Sequence, residues 1–465
     1  MRRSAVPTRF RALAASLVLL GAFLPGCAAP VRMPFSPGLP PELEEDRERA
    51  FWVAVSELEL MRATRIAPGN EHADYARGMR LVIDGRIDDA ENRFAPLAAE
   101  ATDSLVRTAA RLALSSVFGL DGRWQDLHEL TSNVPAHLTA AYGRASLDAW
   151  SGAMRMAPEA EYHISPSPGA LTFEVTGTGT PLIPVEINGQ LRYFWLDTGT
   201  SLTLIASDVA AAAGIRPLTE DTLEIVTTVR RIQAVPAVVS ELRLGPLLAT
   251  GHAAAVVPAR VLTITEGVGT PRVQRVKIDG VIGMDILSRL NVVIDFPTGV
   301  AILSRPRPDR DRKRNLFWLG YPVVRAEGPR GTPLYFGLDT GADSTFVTQN
   351  LLRKLPSRLR AKRTRYLSGF GADTLVRTPI LSDLALKAAG KSFDLRDVTV
   401  HDNRRLMMFE LDGILGADLG AGHRVRIDMT NGIFEIGTPP PPPIPRAVEA
   451  KGGTRIPLGR TARDP

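Results

Sequence analysis

The chain has 465 residues, 44% hydrophobic and 23% charged, with a formal net charge of +6. That length supports two or three domains with buried cores, and the composition excludes a disordered chain or a multi-spanning membrane protein. A single cysteine excludes an intrachain disulfide framework and a cysteine-rich zinc module, and the mild basic surplus does not indicate a nucleic-acid partner.

At the amino terminus, Arg2, Arg3, Arg9 and Arg11 precede an apolar stretch from Leu13 to Leu24 that is too short to span a bilayer. Residues 1–26 therefore read as an export signal. The stretch ends in Leu24-Pro25-Gly26-Cys27, which resembles the lipobox of bacterial lipoproteins. The resemblance implies lipidation at Cys27 and membrane attachment through that anchor. With Ala28 following, it also implies the bacterial cell envelope, at the outer membrane facing the periplasm. An ordinary signal peptide with a chance cysteine is the plainer alternative. Residues 27–45 carry Pro30, Pro34, Pro37, Pro40 and Pro41 and read as a stiff tether.

Residues 46–155 show helical spacing. Ile87, Ala90, Phe94 and Leu97 recur on one face after Asp84-Gly85. Gly78, Gly85, Ala90 and Phe94 resemble the small and large positions of a tetratricopeptide repeat, and Gly122-Arg123-Trp124 echoes Gly85-Arg86-Ile87. Two such units are few for a free solenoid. The segment is either a small docking module for a protein partner or a helical spacer packed on the next domain.

Beyond residue 170 the pattern changes to short β-type runs punctuated by Gly, Pro and Asn. Two stretches repeat each other. Tyr193-Phe194-Trp195-Leu196-Asp197-Thr198-Gly199 matches Tyr335-Phe336-Gly337-Leu338-Asp339-Thr340-Gly341. Asp279-Gly280-Val281-Ile282-Gly283 matches Asp412-Gly413-Ile414-Leu415-Gly416. Ile294-Asp295 and Ile427-Asp428 close the copies, with the same step from the second landmark to the third. The first copy carries about nine extra residues between its first two landmarks, assigned to a loop near 263–275. The expected fold is thus multidomain α+β, with amino-terminal helical hairpins followed by two all-β lobes at 170–304 and 317–437. A basic linker spans 305–316, and a Pro-rich tail at 438–465 is expected to be disordered.

An Asp-Thr-Gly after an apolar strand, followed later by an apolar-apolar-Gly turn, resembles the retropepsin-like aspartic proteases, here as a tandem within one chain. Two carboxylates about 3 Å apart cannot both ionise cheaply, so they share a proton. The ionised member can activate a water against a peptide carbonyl while its protonated partner stabilises the carbonyl oxygen. Such a site needs no metal and no cofactor, and its substrate is a polypeptide. Asp197 and Asp339 are the expected catalytic pair. The resemblance implies that Thr198 and Thr340 bond across the lobe junction and that Ser201 and Ser344 support the motif. It places Gly283 and Gly416 in the strands beneath the loops. Gly199 and Gly341 allow the tight turns beside the carboxylates. Gly369, Phe370 and Gly371 fit a flap tip, whereas the first copy has Val226 to Ile232 with no glycine there. That difference leaves a non-catalytic peptide-binding lipoprotein as the alternative to an aspartic endopeptidase.

Other motifs carry less. Gly390-Lys391-Ser392 lacks the first glycine of a phosphate loop, since residue 385 is alanine, and reads as a hairpin turn. The seven histidines show no metal-ligand spacing along the chain. The basic runs at 305–314 and 353–365 read as solvated surface, or as attraction to anionic headgroups or acidic substrates.

Overall fold

The computed structural model describes residues 46–132, 147–226, 231–266, 274–309, 311–355, 359–369, 372–402, 405–406 and 409–437. The export signal, Cys27, the tether and the Pro-rich tail lie outside the described residues.

Seven helices come first among these residues: α1 (Asp46–Ser56), α2 (Leu60–Ile66), α3 (Asn70–Ile83), α4 (Ile87–Glu100), α5 (Ser104–Asp121), α6 (Trp124–Ser132) and α7 (Leu147–Met154). None of the described helices is long and apolar enough to cross a membrane. The Asp103 carboxylate caps α5 by accepting from the Leu105 and Val106 amides, and Gly122 ends it in the left-handed conformation. Gly85 takes the same conformation ahead of α4. At Gly78 a Cβ would lie 2.5 Å from the Phe94 ring, so only glycine lets α3 and α4 approach this closely.

Phe51, Trp52, Tyr75 and Phe94 are fully buried and form a chain of edge and tilted ring contacts through the helical unit. The same core continues into the β region through Phe317, Leu319, Val323, Tyr335, Phe409 and Leu411. The Trp318 indole N–H donates to the Ser116 carbonyl at 2.8 Å. The helices are therefore packed onto the β region through a shared apolar core.

Strands begin at Glu161–Ile164, ahead of the change in sequence character, because that strand pairs with Leu247–Val257 at the edge of the first sheet. The first copy forms a ten-stranded sheet and the second an eight-stranded one. In each, the strand leading into Asp-Thr-Gly pairs in parallel with the strand of the later glycine turn. Phe194–Leu196 runs beside Gly280–Ile282, and Phe336–Leu338 beside Gly413–Leu415. The loop expected near 263–275 is in part a hairpin, with Thr263–Glu266 paired against Gln274–Lys277. Its alternating Thr263, Ile264, Thr265 pattern suits a strand. Gly390 does sit in a hairpin turn, with Ala389 and Gly390 both at positive φ between paired strands.

A five-stranded sheet joins the copies. At its centre Asn291–Asp295 pairs antiparallel with Arg424–Asp428, and Val293 lies opposite Arg426. The third sequence landmark of each copy is one of these two strands, so the duplication meets itself across an approximate two-fold axis. Arg424 ion-pairs with buried Asp295 across that seam, and Arg426 bonds Asn291 Oδ1 at 2.8 Å.

Candidate active site

The parallel strands deliver two loops to one place. The Asp197 amide donates to the Ile282 carbonyl at 3.1 Å, and the Asp339 amide to the Leu415 carbonyl at 3.0 Å. Each loop thereby rests on the glycine turn of its own copy. A Cβ on Gly283 would meet the Leu202 and Thr200 backbone within 2.8 Å, and one on Gly416 would meet the Ser344 carbonyl carbon at 2.6 Å. Both positions require the missing side chain.

The two threonines lock the loops together reciprocally. Thr198 Oγ1 donates to the Leu338 carbonyl at 2.8 Å and accepts from the Thr340 amide at 3.0 Å. Thr340 Oγ1 donates to the Leu196 carbonyl at 2.7 Å and accepts from the Thr198 amide at 3.0 Å. All four bonds are buried. Each hydroxyl is fully used as donor and acceptor, which fixes the separation of the loops.

Asp197 and Asp339 consequently face each other, close enough that each alters the other's ionisation. Each also abuts the opposite glycine. A Cβ on Gly199 would lie 2.5 Å from Asp339 Cγ, and one on Gly341 would lie 2.6 Å from Asp197 Cγ. Glycine is needed here for close approach and not for an unusual turn.

The environments of the two acids differ. Asp197 is 4% exposed, whereas Asp339 keeps part of its surface open. Asp197 accepts from the Gly199 amide at 2.7 Å and from Thr200 Oγ1 at 2.7 Å. Asp339 accepts from the Gly341 amide at 3.0 Å, the Ala342 amide at 2.9 Å and the Tyr321 hydroxyl at 3.0 Å. Burial, then the facing Asp339, push the Asp197 carboxyl up to about 7. Burial also raises Asp339, opposed first by the Tyr321 hydroxyl and then by the two loop amides.

Thr200 Oγ1 bonds the Asp197 carboxylate, while Ser201 beside it is exposed and its carbonyl accepts from the Asp285 amide at 3.1 Å. The Ser344 hydroxyl donates to Asp343 at 3.1 Å. Tyr321 and Thr180 also join the site, beyond the residues the motif itself points to. They occupy matching positions, Gly179-Thr180-Pro181 and Gly320-Tyr321-Pro322, just ahead of a strand in each copy. Thr180 Oγ1 donates to the Thr340 carbonyl at 3.0 Å, while Tyr321 reaches the carboxylate itself. That fourth matching pair, Gly-x-Pro in each copy, is the sequence signal for these positions.

Among the flap residues, Gly369 ends a strand paired with Ala372 in the hairpin Leu359–Gly369 and Ala372–Ala388. Phe370 and Gly371 lie outside the described residues, as do residues 227–230 of the first copy.

No curated protein matches the chain. Among solved structures, an aspartic proteinase from Irpex lacteus aligns with 12% identity and a TM-score of 0.37, covering 60% of this chain and 97% of that one. The family described as aspartyl protease matches residues 183–286, a span that holds Asp197, Thr198, Gly199 and Gly283. Over the first β unit, the chain is similar to aspartyl proteases.

Proposed function

We propose that the protein is an aspartic endopeptidase whose single active site is built from Asp197 and Asp339. The observation that carries this reading is the reciprocal Thr198–Thr340 lock, which holds each carboxyl group against the opposite loop's glycine, facing its counterpart. The family match supports the protease class.

The asymmetry of the pair assigns the roles. Three donors stabilise charge on Asp339, so the ionised form resides there and the shared proton on Asp197. A water between them gives its proton to Asp339 as its oxygen attacks the peptide carbonyl carbon. Asp197 donates its hydrogen to the carbonyl oxygen, whose negative charge it neutralises. Collapse of the resulting diol breaks the C–N bond, and Asp339 returns its proton to the departing amine. Asp197 recovers a proton from the diol, so the pair ends as it began.

The purified protein incubated with mixed peptides from pH 3 to 8 tests this. Fragments should form with the wild type, and both Asp197→Asn and Asp339→Asn should abolish them. Full activity in either variant would eliminate a site shared between the copies. The leader and Cys27 extend the reading to a lipid-anchored enzyme of the bacterial envelope. Fatty-acid labelling lost in Cys27→Ser would support the anchor.

A further inference from the structure

Three side chains from separate parts of the helical unit converge. Glu48 lies on α1, His72 on α3 and Asp103 at the start of α5. The ligand-competent atoms all lie within 4.8 Å of one another. His72 Nε2 sits 3.6 Å from Asp103 Oδ2 and 3.9 Å from Glu48 Oε1. Those separations exceed a hydrogen bond. The Nε2 atom is buried without a hydrogen-bond partner, an arrangement that ordinarily costs stability.

We propose that Glu48, His72 and Asp103 form a binding site for one divalent transition-metal cation of the zinc class. Tetrahedral ligand atoms about 2.1 Å from a shared centre lie roughly 3.4 Å apart, so small side-chain adjustments of about 0.5 Å or less bring both His72 distances to that spacing. Imidazole nitrogen with two carboxylate oxygens is a donor set that suits zinc and its neighbours better than calcium or magnesium.

The surroundings hold the ligands in place before a cation arrives. Asp103 Oδ1 is committed to the α5 cap, at 2.8 and 2.9 Å from the Leu105 and Val106 amides, so Oδ2 is the oxygen turned to His72. The Glu71 carboxylate accepts from the Thr102 and Asp103 amides at 2.8 and 3.0 Å and fixes the turn that carries Asp103. Phe51 stands edge-on to the His72 ring at 5.0 Å, and Trp52 closes another side at 5.9 Å. The His72 side chain is 8% exposed, against 19% for Glu48 and 27% for Asp103. Solvent therefore reaches the carboxylate side, where a water can complete the coordination. A cation there would staple α1, α3 and α5 together, and α1 also shares the core that reaches the second β unit.

The test uses the purified protein after exhaustive chelation, titrated with Zn²⁺ by calorimetry and followed by thermal melting. One equivalent should bind and raise the melting temperature by about 3 °C or more at saturation. Co²⁺ in its place should give visible absorption bands. Glu48→Gln, His72→Gln and Asp103→Asn should each weaken binding by about 100-fold. Asparagine keeps the α5 cap, and Glu48→Gln leaves the buried ring in place, so these two variants remain informative should His72→Gln fail to fold. Absence of binding, or binding unchanged in Glu48→Gln and Asp103→Asn, would overturn the proposal.

Discussion

The Tyr321 hydroxyl donates to Asp339 Oδ2 at 3.0 Å, while the matching position in the first copy, Thr180, bonds backbone instead. The duplicated site is thus asymmetric at its centre. A hydrogen bond to the charged form of an acid favours ionisation, so Tyr321→Phe removes a force that lowers the Asp339 pKa. Asp339 would then stay protonated to higher pH. The acid limb of the kcat/KM profile should move upward and kcat should fall about 10- to 150-fold, the equivalent of roughly 1.5–3 kcal/mol for a bond to a charged group. A pH–rate profile of the variant checks both.

The threonine lock predicts a sharp contrast between conservative and truncating changes. Thr340→Ala removes the donor to Leu196 and the acceptor of the Thr198 amide, both buried. It should cost about 2–4 kcal/mol and most activity, whereas Thr340→Ser should retain both. Denaturant unfolding with a peptide-cleavage assay on the same samples distinguishes them.

Close approach at the glycines gives a third expectation. In Gly341→Ala the new methyl group must displace the Asp197 carboxyl, which it would otherwise meet at 2.6 Å. The chain should stay folded while kcat drops about 100-fold, since small misplacement of reacting groups is costly. Circular dichroism and steady-state kinetics measure the two arms.

The raised pKa of Asp197 has a sign that stability measurements can read. Its folded value of about 7 lies above the ordinary carboxyl value, so between about pH 4 and 7 the folded state binds more protons than the unfolded one. The contribution of this group to stability is present below pH 4 and is lost as pH rises through 7. Asp197→Asn should therefore melt higher than the wild type at pH 7, and the difference should vanish near pH 4. Melting curves across that range test the point.

The seam between the copies carries a charge pair whose acid is buried and whose arginine is part exposed. Arg424→Ala leaves Asp295, which is 5% exposed, without its cation. Removing the cation from a buried acid costs up to about 3–5 kcal/mol, less where the cation is partly exposed, so a loss of about 2–3 kcal/mol is expected. Urea unfolding of Arg424→Ala against the wild type measures it.

Much of this molecule is encoded in residue order. The duplication, the two Asp-Thr-Gly loops, the later glycine turns and the Ile-Asp landmarks are local patterns, readable because backbone geometry restricts which residues suit a turn or strand. The partners that complete each site are not encoded that way. Tyr321, the strands that share one sheet and the trio of Glu48, His72 and Asp103 meet only through the packing of segments separated along the chain. A side chain's reach depends on how elements are stacked in space, and neighbouring residues along the chain do not carry that distance.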